Sequence, residues 1–273
     1  MTISKVVGAR EAVGVIHDRD VIVSSGYGGH GVAEEILAAL EQRFIDDPIP
    51  RDLTLVWAGG QGDSKDRGLN HLGHPGLLKR IIGGHYGLLP KIVALAVDEE
   101  VEAYNLPEGV LVHLYRSIAS GAPGILTTIG IGTFVDPRIE GGKVNKSATN
   151  DIVEITQRGV ETWLFYKGFP VAVAIIRGTT ADPFGNMTIE REAATLETLD
   201  LAMAAKAFGG YVICQVERVA EAGSLDSRDV PVPASSLMPL SSPSPSATPD
   251  GLVMETVIEQ SRNRVGRSQA TAP

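Results

Sequence analysis

The chain has 273 residues, 43% of them hydrophobic and 21% charged, with a formal net charge of −9. That balance fits a globular protein with a sizeable core, and without a block of lysine or arginine it disfavours nucleic acid as the main partner, because phosphate contacts need a concentrated basic surface. Glycine is abundant (31 residues) and aromatic residues are few (5%), which suggests aliphatic strands joined by tight glycine loops.

In chain order, DVIVS (20–24) reads as a buried strand followed by a glycine turn, and VAEEILAAL (32–40) has apolar residues at helical spacing. LTLVW (53–57) reads as a second strand, and HPGLLKRII suggests a helix opened by Pro75. KIVALAV fits either a helix or a strand. TWLFY (162–166), VAVAIIR (171–177) and GYVICQV (210–216) read as strands, and the stretch from Glu190 to Phe208, rich in alanine and leucine, reads as a helix. Strands alternating with helices predict crossover connections and a parallel sheet covered on both faces. Residues 231–249, PVPASSLMPLSSPSPSATP, cannot build a core strand, so an irregular, disordered tail is expected from about residue 234. The lone Cys214 sits in an apolar run and is expected to be buried packing in a reducing cytoplasm. The N-terminus lacks the apolar region of a signal peptide, and no run approaches the roughly 18 apolar residues of a membrane span, so no membrane partner is expected.

The sharpest local feature is GYGGHG (26–31), where Gly26, Gly28 and Gly31 fit G-x-G-x-x-G between a strand and a helix. Such a turn can hold a dinucleotide pyrophosphate at a helix N-terminus. It can equally be a tight turn, or an amide pocket for an oxyanion or carboxylate. The acidic residue that a nucleotide-dependent dehydrogenase needs at the end of its second strand is not well placed, since Asp46 and Asp47 precede that strand and Asp63 lies beyond it. His71 and His74, with His85 following, have H-x-x-H spacing, but their glycine-rich surroundings read as a solvent-exposed loop and not as a metal site. No G-x-S-x-G elbow is present. Glu108, in YNLPEGVL, falls on a turn after a strand, where a carboxylate serves as nucleophile or base, or is simply solvated.

Taken together, VSSGYGGHG (23–31), GGQGDSKDRGLN (59–70), GGHYGLLPKI (83–92), AYNLPEGVL (103–111), GAPGILTTIGIGTFVDPRIEGGKVN (121–145) and IRGTTADPFGNMTIE (176–190) resemble the family I coenzyme A transferases. Within that family they are most similar to the single-chain bacterial enzymes acting on acetate, propionate or 3-oxo acids. The resemblance covers roughly residues 3–233 and corresponds to the N-terminal, α-type half. It implies an open α/β/α sandwich with a largely parallel sheet, packed against a β-type half in cis or in trans within a homo- or hetero-oligomer. It also implies acyl-CoA and short carboxylates as substrates, with coenzyme A as substrate and no metal or redox cofactor. The family's nucleophilic glutamate belongs to the C-terminal half, so no residue here inherits it. Gly28 and Gly29 are carried over as pocket or oxyanion residues. Glu108 stands where relatives often have glutamine in P-Q-G, which implies a pocket-lining role; its charge would repel an anionic acceptor unless paired or protonated. Residues 1–233 are therefore expected to form the transferase domain and 234–273 a disordered or out-of-frame tail. One choice of codons for Ser236–Ser242, read in a shifted frame, encodes Leu-Val-Asp-Ala-Val-Val-Val, a buried-strand sequence. The alternatives are a non-catalytic acyl-CoA-binding or regulatory subunit and a nucleotide-dependent dehydrogenase.

Overall fold

The computed structural model describes residues 5–234 and 252–256. The chain begins with strand β1 (Lys5–Val7), a short helix α1 (Ala9–Ala12), strand β2 (Val21–Ser24) and helix α2 (Glu34–Asp46). Next come β3 (Leu53–Trp57), β4 (Leu78–Gly83), α3 (Pro90–Val97), β5 (Glu102–Asn105) and α4 (Glu108–Ala119). A three-stranded antiparallel sheet follows, in which β6 (Gly124–Thr127) and β7 (Val153–Arg158) flank β8 (Glu161–Lys167). The chain then re-enters the main sheet through β9 (Val173–Arg177) and forms the short strands β10 (Thr180–Ala181) and β11 (Met187–Thr188). The last elements are α5 (Thr198–Ala207), β12 (Tyr211–Val216), β13 (Arg218–Val219) and β14 (Leu252–Thr256).

The main sheet has eight strands in the order β1-β14-β12-β9-β2-β3-β4-β5, and each neighbouring pair is parallel. Because successive side chains point to opposite faces, the apolar strands feed two separate cores. Val23, Val56, Ala174 and Val212 pack on one face with α4 and α5, while Ile22, Leu55, Val173 and Ile213 pack on the other with α2 and α3. This is the expected α/β/α sandwich with a parallel sheet buried on both sides.

Several expectations change. HPGLLKRII does not form a helix: Leu78–Gly83 is a strand between β3 and β5. Its apolar Leu78, Ile81 and Ile82 are buried because a central parallel strand needs no polar face. The helix expected over Glu190–Phe208 begins only at Thr198. TWLFY lies in the separate antiparallel sheet. Within the stretch read as a tail, Leu252–Thr256 is a strand between β1 and β12; residues 236–242, where the shifted frame places a strand, lie outside the described residues.

Candidate functional site

Strand order reverses at β2. From β2 the chain proceeds outward through β3, β4 and β5, whereas β9, β12 and β14 are added on its other side. In open parallel sheets the loops leaving the carboxyl ends of strands part at such a switch point and leave a crevice. Here the crevice is a cleft of about 840 Å³. It is lined by Gly28, Gly29 and His30 after β2, Gly62 and Asp63 after β3, Arg177 at the end of β9, Gln215 near the end of β12, and Arg191.

Backbone bonds fix the glycine loop at its mouth. Tyr27 and His30 exchange two amide bonds of 2.9 Å, the Gly28 amide donates to the Gly60 carbonyl at 2.6 Å, and the Gly62 amide donates to the Gly28 carbonyl at 3.0 Å. Gly28 has φ +59° and Gly31 +62°, the left-handed region that favours glycine. At Gly31 a Cβ would also stand 2.5 Å from Leu196 Cδ1. Beneath the loop, Ser24 Oγ donates to Gln61 Oε1 and Gln61 Nε2 donates back to the Ser24 carbonyl, both at 2.7 Å and both buried. This reciprocal pair ties the β2 and β3 loops together.

Charge on the walls is paired. Arg177 contacts Glu192 at 3.0 Å and Glu217 at 3.4 Å, Arg191 contacts Glu217 at 2.7 Å, and Arg67 contacts Glu34 at 3.0 Å. The first turn of α2 is acidic at Glu34 and Glu35, and the Glu35 amide already donates to Gln215 Oε1 at 3.1 Å. A pyrophosphate at this helix N-terminus would meet two carboxylates and a spent amide, which disfavours the dinucleotide reading.

The H-x-x-H histidines are not solvent-exposed loop residues. His71 is half-buried with Nδ1 2.5 Å from Glu41 and Nε2 3.2 Å from Glu34, and His74 Nε2 lies 2.7 Å from Glu41. Glu34 and Glu41 are seven residues apart on α2, so helical periodicity places them on one face, towards this 3₁₀ turn (Leu69–Leu72). Burial opposes ionisation of Glu34, but His71, the Gly68 amide and Arg67 outweigh it and hold the carboxyl down at about 2. His71 is raised above its ordinary value, first by Glu34 and against the pull of burial, then by Glu41. His85 is exposed. Cys214 is buried 2.8 Å from Met187 Sδ, and burial pushes its thiol up, which suits packing and not reactivity.

Gly28 and Gly29 stand together on the cleft, and Glu108 does not line it. Glu108 opens α4 directly after Pro107, so the expected turn is a helix N-terminus, where a carboxylate is favoured by the macrodipole. Its Cγ lies where a Cβ on Gly84 would come within 2.5 Å. Behind the glycine loop stands Glu197, which sequence reasoning passed over because ATLETLD lay inside an apparently continuous helix. It is 6% exposed, and its Oε1 has no hydrogen-bond partner. Burial foremost, then the Asp200 and Glu108 carboxylates, push it up to about 7, with its own amide and that of Gly26 pulling the other way.

The coenzyme A transferase family profile matches residues 6–238. The chain belongs to the coenzyme A transferase family. It is 41% identical over 230 residues to caffeate CoA-transferase of Acetobacterium woodii, covering 84% of this chain and 44% of that protein. Against acetate CoA-transferase YdiF of Escherichia coli K12 the identity is 37%, covering 84% of this chain and 43% of that one. The solved YdiF acyl-CoA transferase of E. coli O157:H7, as a thioester complex with CoA, superposes with a TM-score of 0.85 at 34% identity, over 93% of this chain and 47% of the other. This chain thus spans less than half the length of these relatives. By contrast it covers 93% of the α subunit of E. coli acetate CoA-transferase, at 26% identity. It corresponds to the N-terminal, α-type half of a family I coenzyme A transferase.

Proposed function

We propose that this chain is the α-type half of an acyl-CoA:carboxylate CoA-transferase that handles short-chain acyl or 3-oxo acids and completes its site with a β-type half, in cis or in trans. The observation that carries the reading is the cleft at the switch point, whose glycine loop is held open by backbone bonds and presents Gly28 and Gly29 to a ligand. In this reading the Gly29 amide, which the backbone bonds of Tyr27, Gly28 and His30 leave over, receives the oxygen that becomes negative as a tetrahedral intermediate forms. A glutamate of the second half attacks the thioester carbonyl, the carbon–sulfur bond breaks, and CoA leaves as thiolate, giving a mixed anhydride. The thiolate then attacks the glutamyl carbonyl and expels the first carboxylate, leaving a glutamyl-CoA thioester. An acceptor carboxylate attacks that thioester and releases the thiolate, giving a second mixed anhydride, and the thiolate attacks the acceptor's acyl carbon to form the new acyl-CoA and free the glutamate. Coenzyme A is a substrate throughout, and the scheme is balanced without a metal or redox cofactor.

The test is transfer of CoA from acetyl-CoA to propionate by the purified chain, alone and after addition of the C-terminal half of a related single-chain transferase. No turnover alone and turnover in the mixture is the expected result. Turnover by the chain alone would place the nucleophile here and refute the division of labour. Tight acyl-CoA binding with no turnover in either case would favour a binding or regulatory subunit, and NAD binding would revive the dehydrogenase.

A further inference from the structure

We propose that Glu197 is a positioning residue that sets the anion affinity of the glycine-loop cleft: its buried carboxyl holds a proton when a short carboxylate is bound, and its ionisation weakens that binding. The inference deepens the proposed function, because it rests on reading the cleft as a carboxylate site.

Backbone geometry carries it first. Glu197 occupies the N-cap position of α5 but makes no capping bond with its side chain, and its Oε1 is buried without a partner. A buried polar atom left unpaired costs about 1–3 kcal/mol and calls for an explanation. Leu196, directly before it, has φ +52°, a left-handed conformation that costs a side-chain-bearing residue roughly 1–2 kcal/mol. That bend presses Leu196 Cδ1 into the space left by the missing Cβ of Gly31. The strained turn therefore seats residues 196–197 against the loop at the mouth of the cleft, and strain of this kind collects at functional sites.

The surroundings favour a neutral carboxyl. Glu108 faces Glu197 from α4, and Asp200 faces it from α5; both oppose its ionisation. Asp200 is itself held by Arg116 of α4, at 3.0 and 2.9 Å. The buried Tyr115 hydroxyl of α4, also without a partner, feels the Glu197 charge. On the loop side the Gly26 amide acts in the opposite sense and stabilises the ionised form. A carboxyl poised near neutrality, next to a residue seated against Gly31 in a loop whose Gly28, Gly29 and Gly31 line the cleft, couples proton to ligand. Ionised, Glu197 draws on the Gly26 amide and sets a negative charge behind the loop; protonated, it does neither. Linkage then requires that an anion preferring the protonated form takes up protons as it binds.

Calorimetric titration of the full chain with acetate at pH 6 and pH 8, in two buffers of different ionisation enthalpy, tests this. Binding is expected to be about five-fold or more weaker at pH 8, with net proton uptake near pH 7. In Glu197→Gln the affinity should be the same at both pH values and the uptake should vanish. Glu108→Gln, which removes one of the charges opposing ionisation, should keep the dependence but move its midpoint to lower pH, and it provides the answer if Glu197→Gln fails to fold. Equal acetate affinity at both pH values in the wild type, proton uptake that survives Glu197→Gln, a midpoint unmoved by Glu108→Gln, or no acetate binding at all would each overturn the proposal. Transfer activity in the reconstituted mixture is read separately, so a working transferase with pH-independent acetate binding sinks this inference alone.

Discussion

His71 lies between two carboxylates of one helix, and its titration makes part of the stability depend on pH. Its folded pKa is raised above the unfolded value of about 6.5. The stabilisation it gives is therefore complete below about pH 6.5 and is lost as pH rises through the folded value. Glu34 runs the other way. Its folded value of about 2 lies below the unfolded value of about 4.3, so its contribution is complete above that pH and lost as pH falls towards 2. His71→Asn is expected to cost about 2 kcal/mol at pH 6, the scale of hydrogen bonds to charged groups, and clearly less at pH 9. Urea unfolding at the two pH values measures the difference, and an equal cost at both would mean that His71 is neutral in the folded protein. None of this was legible in H-x-x-H, because the partners Glu34 and Glu41 come from a helix some 30 residues earlier in the chain.

At the scale of elements, the α4–α5 contact positions the acidic group beneath the loop. Arg116 is largely exposed, but Asp200, which accepts both of its short bonds, is only 11% exposed at the side chain. Removing the guanidinium strands a nearly buried carboxylate beside Glu197, so Arg116→Met is expected to lower the unfolding free energy by about 1–2 kcal/mol, less than a fully buried pair would cost because solvent screens the arginine. Adding Asp200→Asn should restore part of that loss, and urea midpoints of the single and double variants show it. If the double variant were as unstable as the single, the carboxylate would not be the source of the cost. Element type was readable where period and context agreed, as in Leu53–Trp57 and the apolar stripe of α2. It failed at Leu78–Gly83, because a short strand buried on both faces and a short buried helix present the same apolar run. Glu108 was placed correctly after a strand, yet the helix that it opens was not seen.

For the whole molecule, the edge of the main sheet depends on residues far apart in the chain. Among the described residues, β1 joins the sheet only through β14. Deleting residues 235–273 should leave the amides of β2, β3 and β9 protected from hydrogen exchange while those of Lys5–Val7 exchange rapidly. Unchanged protection of Lys5–Val7 would mean that β1 is held in some other way. Composition and apolar periodicity by themselves determined the α/β class and the parallel sheet, and the resemblance of six stretches between residues 23 and 190 pointed to the coenzyme A transferase family, because these rest on short-range pattern and on runs of residues that can be read in order. Only the tertiary structure decided that Gly28 and Gly29 share a cleft with Arg177 and Gln215, that His71 is clasped by α2, and that Glu197 lies behind the loop near Glu108. Those groups are separated by tens to nearly two hundred residues, and a carboxyl's charge state follows from its burial and neighbours, which no local stretch of sequence contains.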